Sequence, residues 1–189
     1  MRPKHSLRVS AGSVKGQRLI GTLSVQARPT TERVKAAIFN IISERVYMGN
    51  RVLDLYAGSG SLGIEALSLG ADWSDFVEKN NRQCSVIEGN LARTGFQEKS
   101  KVYCGDSEKL LETLRGPYSL VLLDPPYKMN GLMNIVEKIS QTAGLINEDS
   151  FVVVGHSRHV DLPEKVGGLA LKSHRKYGDN VVDFFGQGT

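Results

Sequence analysis

An α/β chain built on a doubly wound, mostly parallel sheet is what this sequence predicts, and three observations carry the prediction. Short apolar runs rich in β-branched residues alternate with helix-period segments between residues 51 and 155. The first of these runs opens into Gly58-Ser59-Gly60-Ser61-Leu62-Gly63, a strand-to-helix glycine turn of the kind at which open α/β sheets bind ligands. Near the end, the runs 169–177 and 181–185 flank Gly178-Asp179-Asn180, which reads as an antiparallel hairpin closing the sheet edge.

Taken in order, residues 8–22 alternate around Gly12 and Gly16 and read as a basic hairpin. Thr31 then caps a helix reaching about residue 47, with Val34, Ile38, Ile41 and Ile42 on one stripe. Strands are expected at 51–56, 73–77, 101–104, 118–123 and 151–155. Helices are expected at 61–69, 80–94, 107–114 and 130–142. With the terminal hairpin this makes seven strands. A chain of 189 residues with 40% hydrophobic content can bury one sizeable core. Residues 1–30 are expected to form a basic hairpin arm and 31–189 the main domain.

The net charge of +4 hides an asymmetry. Residues 1–35 carry Arg2, Lys4, Arg8, Lys15, Arg18, Arg28, Arg33 and Lys35 against Glu32 alone, so the rest of the chain is mildly acidic. A basic arm beside an acidic domain suits contact with a phosphate backbone, although Arg2 and Lys4 read as a solvated terminus. No run approaches the roughly 18 apolar residues of a membrane span, and no apolar stretch follows the basic start, so a cytoplasmic location is expected. Cys84 and Cys104 lack metal-site spacing and in a reducing compartment read as buried small hydrophobes or surface thiols. No metal is expected. His5, His156, His159 and His174 form no motif; only His156, near a strand end, has a chance of facing a site.

The chemistry is written at strand ends. Asp124-Pro125-Pro126-Tyr127 follows the apolar run 118–123. Two prolines stiffen the backbone and remove N–H donors, leaving carbonyl acceptors. A planar amine can donate to Asp124 and to the Pro125 carbonyl while the Tyr127 ring stacks on its heterocycle. Such a clamp suits methyl transfer to the amino group of a nucleobase or an amide. Ala57, Gly58, Ser59 and Gly60 offer a backbone cradle, and Glu78 ends the next strand where a carboxylate can accept from ribose hydroxyls. Asp106 and Ser107 follow the third strand and can meet an adenine amine, though Asp106 reads equally well as a helix cap. The glycine turn alone fits either NAD or S-adenosylmethionine. Asp54, just before it, favours the second, because a carboxylate repels a pyrophosphate but suits an ammonium and a sulfonium.

Beyond these motifs, the chain resembles the RsmD-type methyltransferases over nearly its whole length. The likeness is carried by Arg8-Val9-Ser10-Ala11-Gly12, Lys15-Gly16-Gln17-Arg18-Leu19 and Arg28-Pro29-Thr30-Thr31-Glu32-Arg33-Val34-Lys35 with Ala37-Ile38-Phe39-Asn40-Ile41. It continues through 54–67, Phe76-Val77-Glu78-Lys79-Asn80, Asp124 to Tyr127 and Lys176-Tyr177-Gly178-Asp179. The resemblance implies a Rossmann-like class I S-adenosylmethionine-dependent methyltransferase, with a seven-stranded, mostly parallel sheet, a C-terminal antiparallel hairpin and an N-terminal β-hairpin extension. It further implies methylation of the exocyclic N2 of a guanine in 16S ribosomal RNA, guanine 966 in standard numbering. The expected partner is that RNA within a small-subunit particle or assembly intermediate, met by a monomer. Arg8, Lys15, Arg18, Arg28, Thr30 and Arg33 are the expected RNA contacts. The sequence departs from the family at Gly155, where an acidic residue is usual before the polar pair His156-Ser157. A DNA adenine-N6 or protein glutamine methyltransferase would use the same clamp. A nicotinamide oxidoreductase would use the glycine turn alone, and a noncatalytic RNA-binding factor only the arm.

Overall fold

The computed structural model describes residues 7–21, 32–42, 50–126, 129 and 131–188. Expectations for Arg28, Thr30, the Thr31 cap and Tyr127 fall outside these residues, as does the helix beyond residue 42. The elements are α1 (Glu32–Ile42), β1 (Arg51–Leu55), α2 (Ser61–Leu69), β2 (Trp73–Glu78), α3 (Asn81–Thr94), β3 (Ser100–Cys104), α4 (Ser107–Leu110), β4 (Leu120–Leu123), α5 (Leu132–Gln141), β5 (Phe151–Ser157), β6 (Lys165–Val166), β7 (Leu169–Tyr177) and β8 (Asn180–Gln187).

The strands form one sheet of order β3-β2-β1-β4-β5-β8-β7-β6. The first five are mutually parallel, while β8, β7 and β6 run antiparallel. Seven strands were expected and eight are found among the described residues. The addition, β6, has two residues, too few for an alternating pattern to show. The strand order reverses between β1 and β4, whose ends lie side by side with Leu55 opposite Leu123. This switch point opens a crevice at the carboxyl edge.

Two apolar layers cover the sheet. One joins Val34, Ile38, Phe39 and Ile42 of α1 with Ile64 of α2 and Ile87 of α3 against Val52, Leu122, Val153 and Val182. The other sets Leu132, Ile135, Val136 and Ile139 of α5 against Leu53, Val121, Val154 and Phe185. The central strands face helices on both sides, so they read as unbroken apolar runs. Local chemistry fixes the helix ends: Asn80 caps α3 by accepting from the Arg82 and Gln83 amides, and Gly95 ends it in a left-handed conformation.

The expected N-terminal hairpin is a closed loop with one antiparallel bridge, between Arg8 and Arg18. It is fastened to the domain, not free. Val9 and Leu19 are buried. The Glu65 carboxylate on α2 accepts from the Ser10 and Ala11 amides and pairs with the buried Lys35 ammonium at 2.8 Å. Lys35 also donates to the Arg8 carbonyl.

One expectation is corrected. Cys84 and Cys104 are not separate thiols but are joined in a disulfide, with Cα atoms 6.2 Å apart. The start of α3 and the end of β3 both flank the end of β2, which brings together two cysteines separated by 20 positions in sequence.

Candidate active site

Three strand ends and a glycine turn build the first half of the carboxyl edge. After β1 the backbone turns through Tyr56, Gly58 and Gly60 at φ of 59°, 56° and 73°. Glycine adopts this left-handed region without penalty. Gly60 sits close to Ile87 and Phe76, and a Cβ on Gly63 would collide with the Phe76 ring, so α2 starts flush against β2 and α3. The Ala57 amide donates to the Val77 carbonyl at 3.0 Å, and the buried Ser59 gives its carbonyl to Asn90 Nδ2 at 2.9 Å. The turn is thereby pinned to its neighbours on both sides.

Carboxylates then organise backbone donors around the turn. Glu78 accepts from the Gly58 amide at 3.0 Å and from the Asn80 amide at 2.9 Å. Asp54 is buried and accepts from the Gly63 amide at 2.9 Å. Burial drives its pKa well above the ordinary value against the opposing Gly63 bond, and the nearby charges of Asp124 and Glu78 push the same way. Asp106 caps α4 through the Glu108 and Lys109 amides and meets Lys79 Nζ at 3.2 Å; that hydrogen bond is the main reason its pKa is lowered. Ser107 is buried at the start of α4.

The second half centres on Asp124. A cavity open to solvent is lined by Asp124, Gly155, His156, Asn180, Val181 and Val182 with Val34, Ile38, Leu62, Leu122, Leu123 and Val153. Burial pushes the Asp124 carboxyl up to about 7. Pro125 is buried and Pro126 exposed; both line a second, smaller hollow with Met129, Leu132, His156, Ser157 and Val160. His156 therefore underlies both hollows. Its Nδ1 faces the Ser157 carbonyl at 2.9 Å and its Nε2 faces Asp183 at 2.9 Å. Burial opposes its charge, but the bonds to Asp183 and to the Ser157 carbonyl win and raise its pKa.

Sequence reasoning placed Asp54, Ala57, Gly58, Ser59, Gly60, Glu78, Asp106 and Ser107 along β1 to β3, and Asp124, Pro125 and Pro126 after β4; the fold brings the two groups to adjacent strand ends. Of the expected RNA contacts, Lys15, Arg18 and Arg33 are exposed. Arg33 stands beside Val34, which lines the cavity. Arg8 is partly buried and its guanidinium donates to the Gly16 carbonyl at 2.9 Å, so it also closes its own loop.

Three residues of the site carried no clear signal. Tyr56 is a non-glycine in the left-handed region, a strain of order 1–3 kcal/mol, and its hydroxyl bonds Ser107, tying the glycine turn to the start of α4. Burial, with the charges of Glu108 and Asp106, pushes that hydroxyl up to about 12. His156 was placed beyond a strand expected to end at 155, whereas β5 runs on to Ser157. Asn180 reaches the cavity only because β8 pairs with β5.

Comparisons with known proteins give the family and the fold. Residues 7–186 match the family described as Conserved hypothetical protein 95, which comprises the RsmD-type proteins. YlbH of Bacillus subtilis, provisionally named an rRNA methyltransferase, is 38% identical over 175 residues, covering 91% of this chain and 94% of its own. Ribosomal RNA small subunit methyltransferase D of Escherichia coli strain K12 is 29% identical over 181 residues, covering 94% and 90% of the two chains. Among solved structures, the Escherichia coli protein YhhF, provisionally named a methyltransferase, superimposes with a TM-score of 0.83 at 24% identity, covering 96% of this chain and 98% of that one. The fold is that of class I methyltransferases, and the chain belongs to the Conserved hypothetical protein 95 family.

Proposed function

We propose that this chain is an S-adenosylmethionine-dependent ribosomal RNA methyltransferase that modifies the exocyclic N2 of a guanine in the 16S RNA, guanine 966 in standard numbering. The observation that carries the reading is the cavity at the end of β4, where the Asp124 carboxylate meets apolar walls one strand away from the glycine turn. Mostly apolar pockets with a few convergent polar groups suit a planar heterocycle. The cofactor reading fits the residues present: left-handed glycines open the backbone of the turn, and Glu78 stands beside it. Gly58 and Gly60, with Ala57 and Ser59, would cradle the cofactor, Glu78 would accept from its ribose, and Asp106 and Ser107 would flank its adenine. Asp54 braces the turn through Gly63. S-adenosylmethionine, when bound, supplies a methyl group on a sulfonium.

The chain's own residues then prepare the amine. A guanine amine is a poor nucleophile because its lone pair delocalises into the ring. Asp124 and the Pro125 carbonyl accept its hydrogens, favour a pyramidal nitrogen and stabilise the positive charge that grows there. Alignment of amine and methyl can supply on the order of 7–11 kcal/mol of the barrier. The base must leave its stack to enter the cavity, which favours a loop guanine. In this reading residues 1–30 form an RNA-binding arm, with Lys15 and Arg18 presenting charge and Arg33 orienting the target at the cavity rim.

The test is transfer of labelled methyl to 16S RNA, naked and in the small subunit, followed by mass spectrometry of ribosomal RNA from cells with and without the protein. Loss of one N2-methylguanine in the deficient cells supports the reading. Methylation of DNA adenine or of a glutamine peptide instead would replace it. Because Val9 and Leu19 sit in the core, the arm is better probed by Lys15→Ala and Arg18→Ala than by truncation.

A further inference from the structure

The strand register draws a line across the catalytic face of the sheet. Gly155 of β5 pairs with Val182 of β8, and Val182 pairs with Arg175 of β7. Side chains alternate along strands, so these three positions share one face. That face is the α1 side, because Val182 belongs to the α1 core layer and Tyr177, two residues beyond Arg175, packs against it. At the other end of the line, Asp124 Oδ1 lies 2.7 Å from where a Cβ on Gly155 would stand. A single row therefore runs from the Asp124 carboxylate, along the cavity wall at Gly155 and Val182, to the exposed Arg175 guanidinium.

Arg175 is a free cation on a fixed strand. Its side chain makes one long bond, 3.4 Å, to the His174 carbonyl, and no carboxylate pairs with it among the described residues. Its backbone is held from the opposite face, where buried Asp183 meets His174 at 2.6 Å and His156 at 2.9 Å, tying β7, β8 and β5 together. Neighbouring cations differ on one count or the other. Arg158 is paired with Asp179 at 3.2 Å. Lys176 falls on the opposite face by alternation.

We propose that Arg175 anchors the phosphodiester of the RNA nucleotide whose base enters the cavity at Asp124. The inference rests on that cavity taking an RNA base. Three strand spacings separate the Asp124 and Arg175 backbones, about 14 Å. Both side chains shorten this gap toward the span of one nucleotide from base edge to phosphate. The planar fork of arginine suits two phosphate oxygens at once, which a lysine cannot match.

The test uses the full-length protein as wild type, Arg175→Ala, Arg175→Lys and Lys176→Ala, with 16S RNA and small subunits as probes. RNA affinity is measured across a salt series, alongside steady-state methyl transfer and cofactor titration. Arg175→Ala is expected to weaken RNA binding roughly tenfold at low salt, to raise KM for RNA more than it lowers kcat, and to reduce the salt slope by about 0.7–0.9. Arg175→Lys should restore the slope but only part of the affinity. Lys176→Ala should cost less than threefold in affinity, and cofactor affinity should be the same in all four proteins. Equal losses in Arg175→Ala and Lys176→Ala, or no loss in Arg175→Ala, overturn the proposal. If the wild type methylates guanine while Arg175→Ala matches it, only the anchor is wrong. A wild type that binds RNA without methylating guanine refutes the guanine assignment and leaves the salt slopes to decide Arg175. A wild type that binds no RNA overturns both.

Discussion

Glu78 and Asp124 each stand at the end of a parallel strand on one edge of the same sheet, yet their carboxylates are held in different ways. Glu78 is met by backbone amides from the turn and helix start next to it, Gly58 and Asn80. Asp124 is enclosed by segments far away in sequence, with Gly155, His156 and Asn180 around its cavity and α1 above it. The first arrangement is fixed by backbone donors within a few positions of the glycine turn and the helix start. In the second, burial leaves the carboxyl titrating at about 7. A group with that pKa can change its protonation during a reaction at neutral pH. In the proposed function, cofactor binding and base activation fall to two halves of one edge, and substitutions should separate them.

The largest expected effect is on the Asp124 side. Asp124→Ala should lower single-turnover methylation by about 10²–10³-fold while calorimetry finds cofactor affinity nearly intact; near-normal turnover would remove Asp124 from the reaction. The same group should give two opposed pH trends. Turnover needs the carboxylate, so kcat should fall as pH drops through about 7. Stability should run the other way. The folded pKa lies above the unfolded value of 3.8, so the native state binds the extra proton between the two values, and stability from this group is full below 3.8 and is lost as pH rises toward 7. Denaturation midpoints of wild type and Asp124→Asn across that window should therefore converge at low pH and separate at high pH. Parallel curves would dismiss the buried carboxyl.

Glu78→Ala comes next and should act on the cofactor half alone. Bonds to a charged acceptor contribute roughly 1.5–3 kcal/mol, so cofactor affinity should fall about tenfold to a hundredfold. Equal affinity in a folded variant would take Glu78 out of the site. Gly155→Ala should cost about tenfold in kcat with little change in cofactor affinity, because its Cβ would stand 2.7 Å from Asp124 Oδ1 and the carboxyl must turn aside. If cofactor affinity fell instead, the two halves would not be separable. The smallest effect belongs to Asp106→Ala. Loss of the α4 cap is worth about 1 kcal/mol, so thermal stability should drop slightly and cofactor affinity a few-fold; a hundredfold loss would make Asp106 a principal ligand.

What the sequence determined by itself is the local half. Apolar runs placed five parallel strands within a few residues. The glycine turn, Glu78 and Asp106 were legible because each is fixed by turn or cap chemistry over a few neighbouring positions. Asp124-Pro125-Pro126 was legible for the same reason, as a charge and two prolines at the end of an apolar run. The tertiary structure decided the rest. It added a two-residue edge strand, joined Cys84 to Cys104 and packed the N-terminal loop onto Glu65 and Lys35. It also carried β5 past residue 155, so that His156 and Asn180 came to the cavity and Arg175 fell in line with Gly155. Pairing between strands 20 or more residues apart follows from how the whole sheet closes, and no short stretch of chain encodes it.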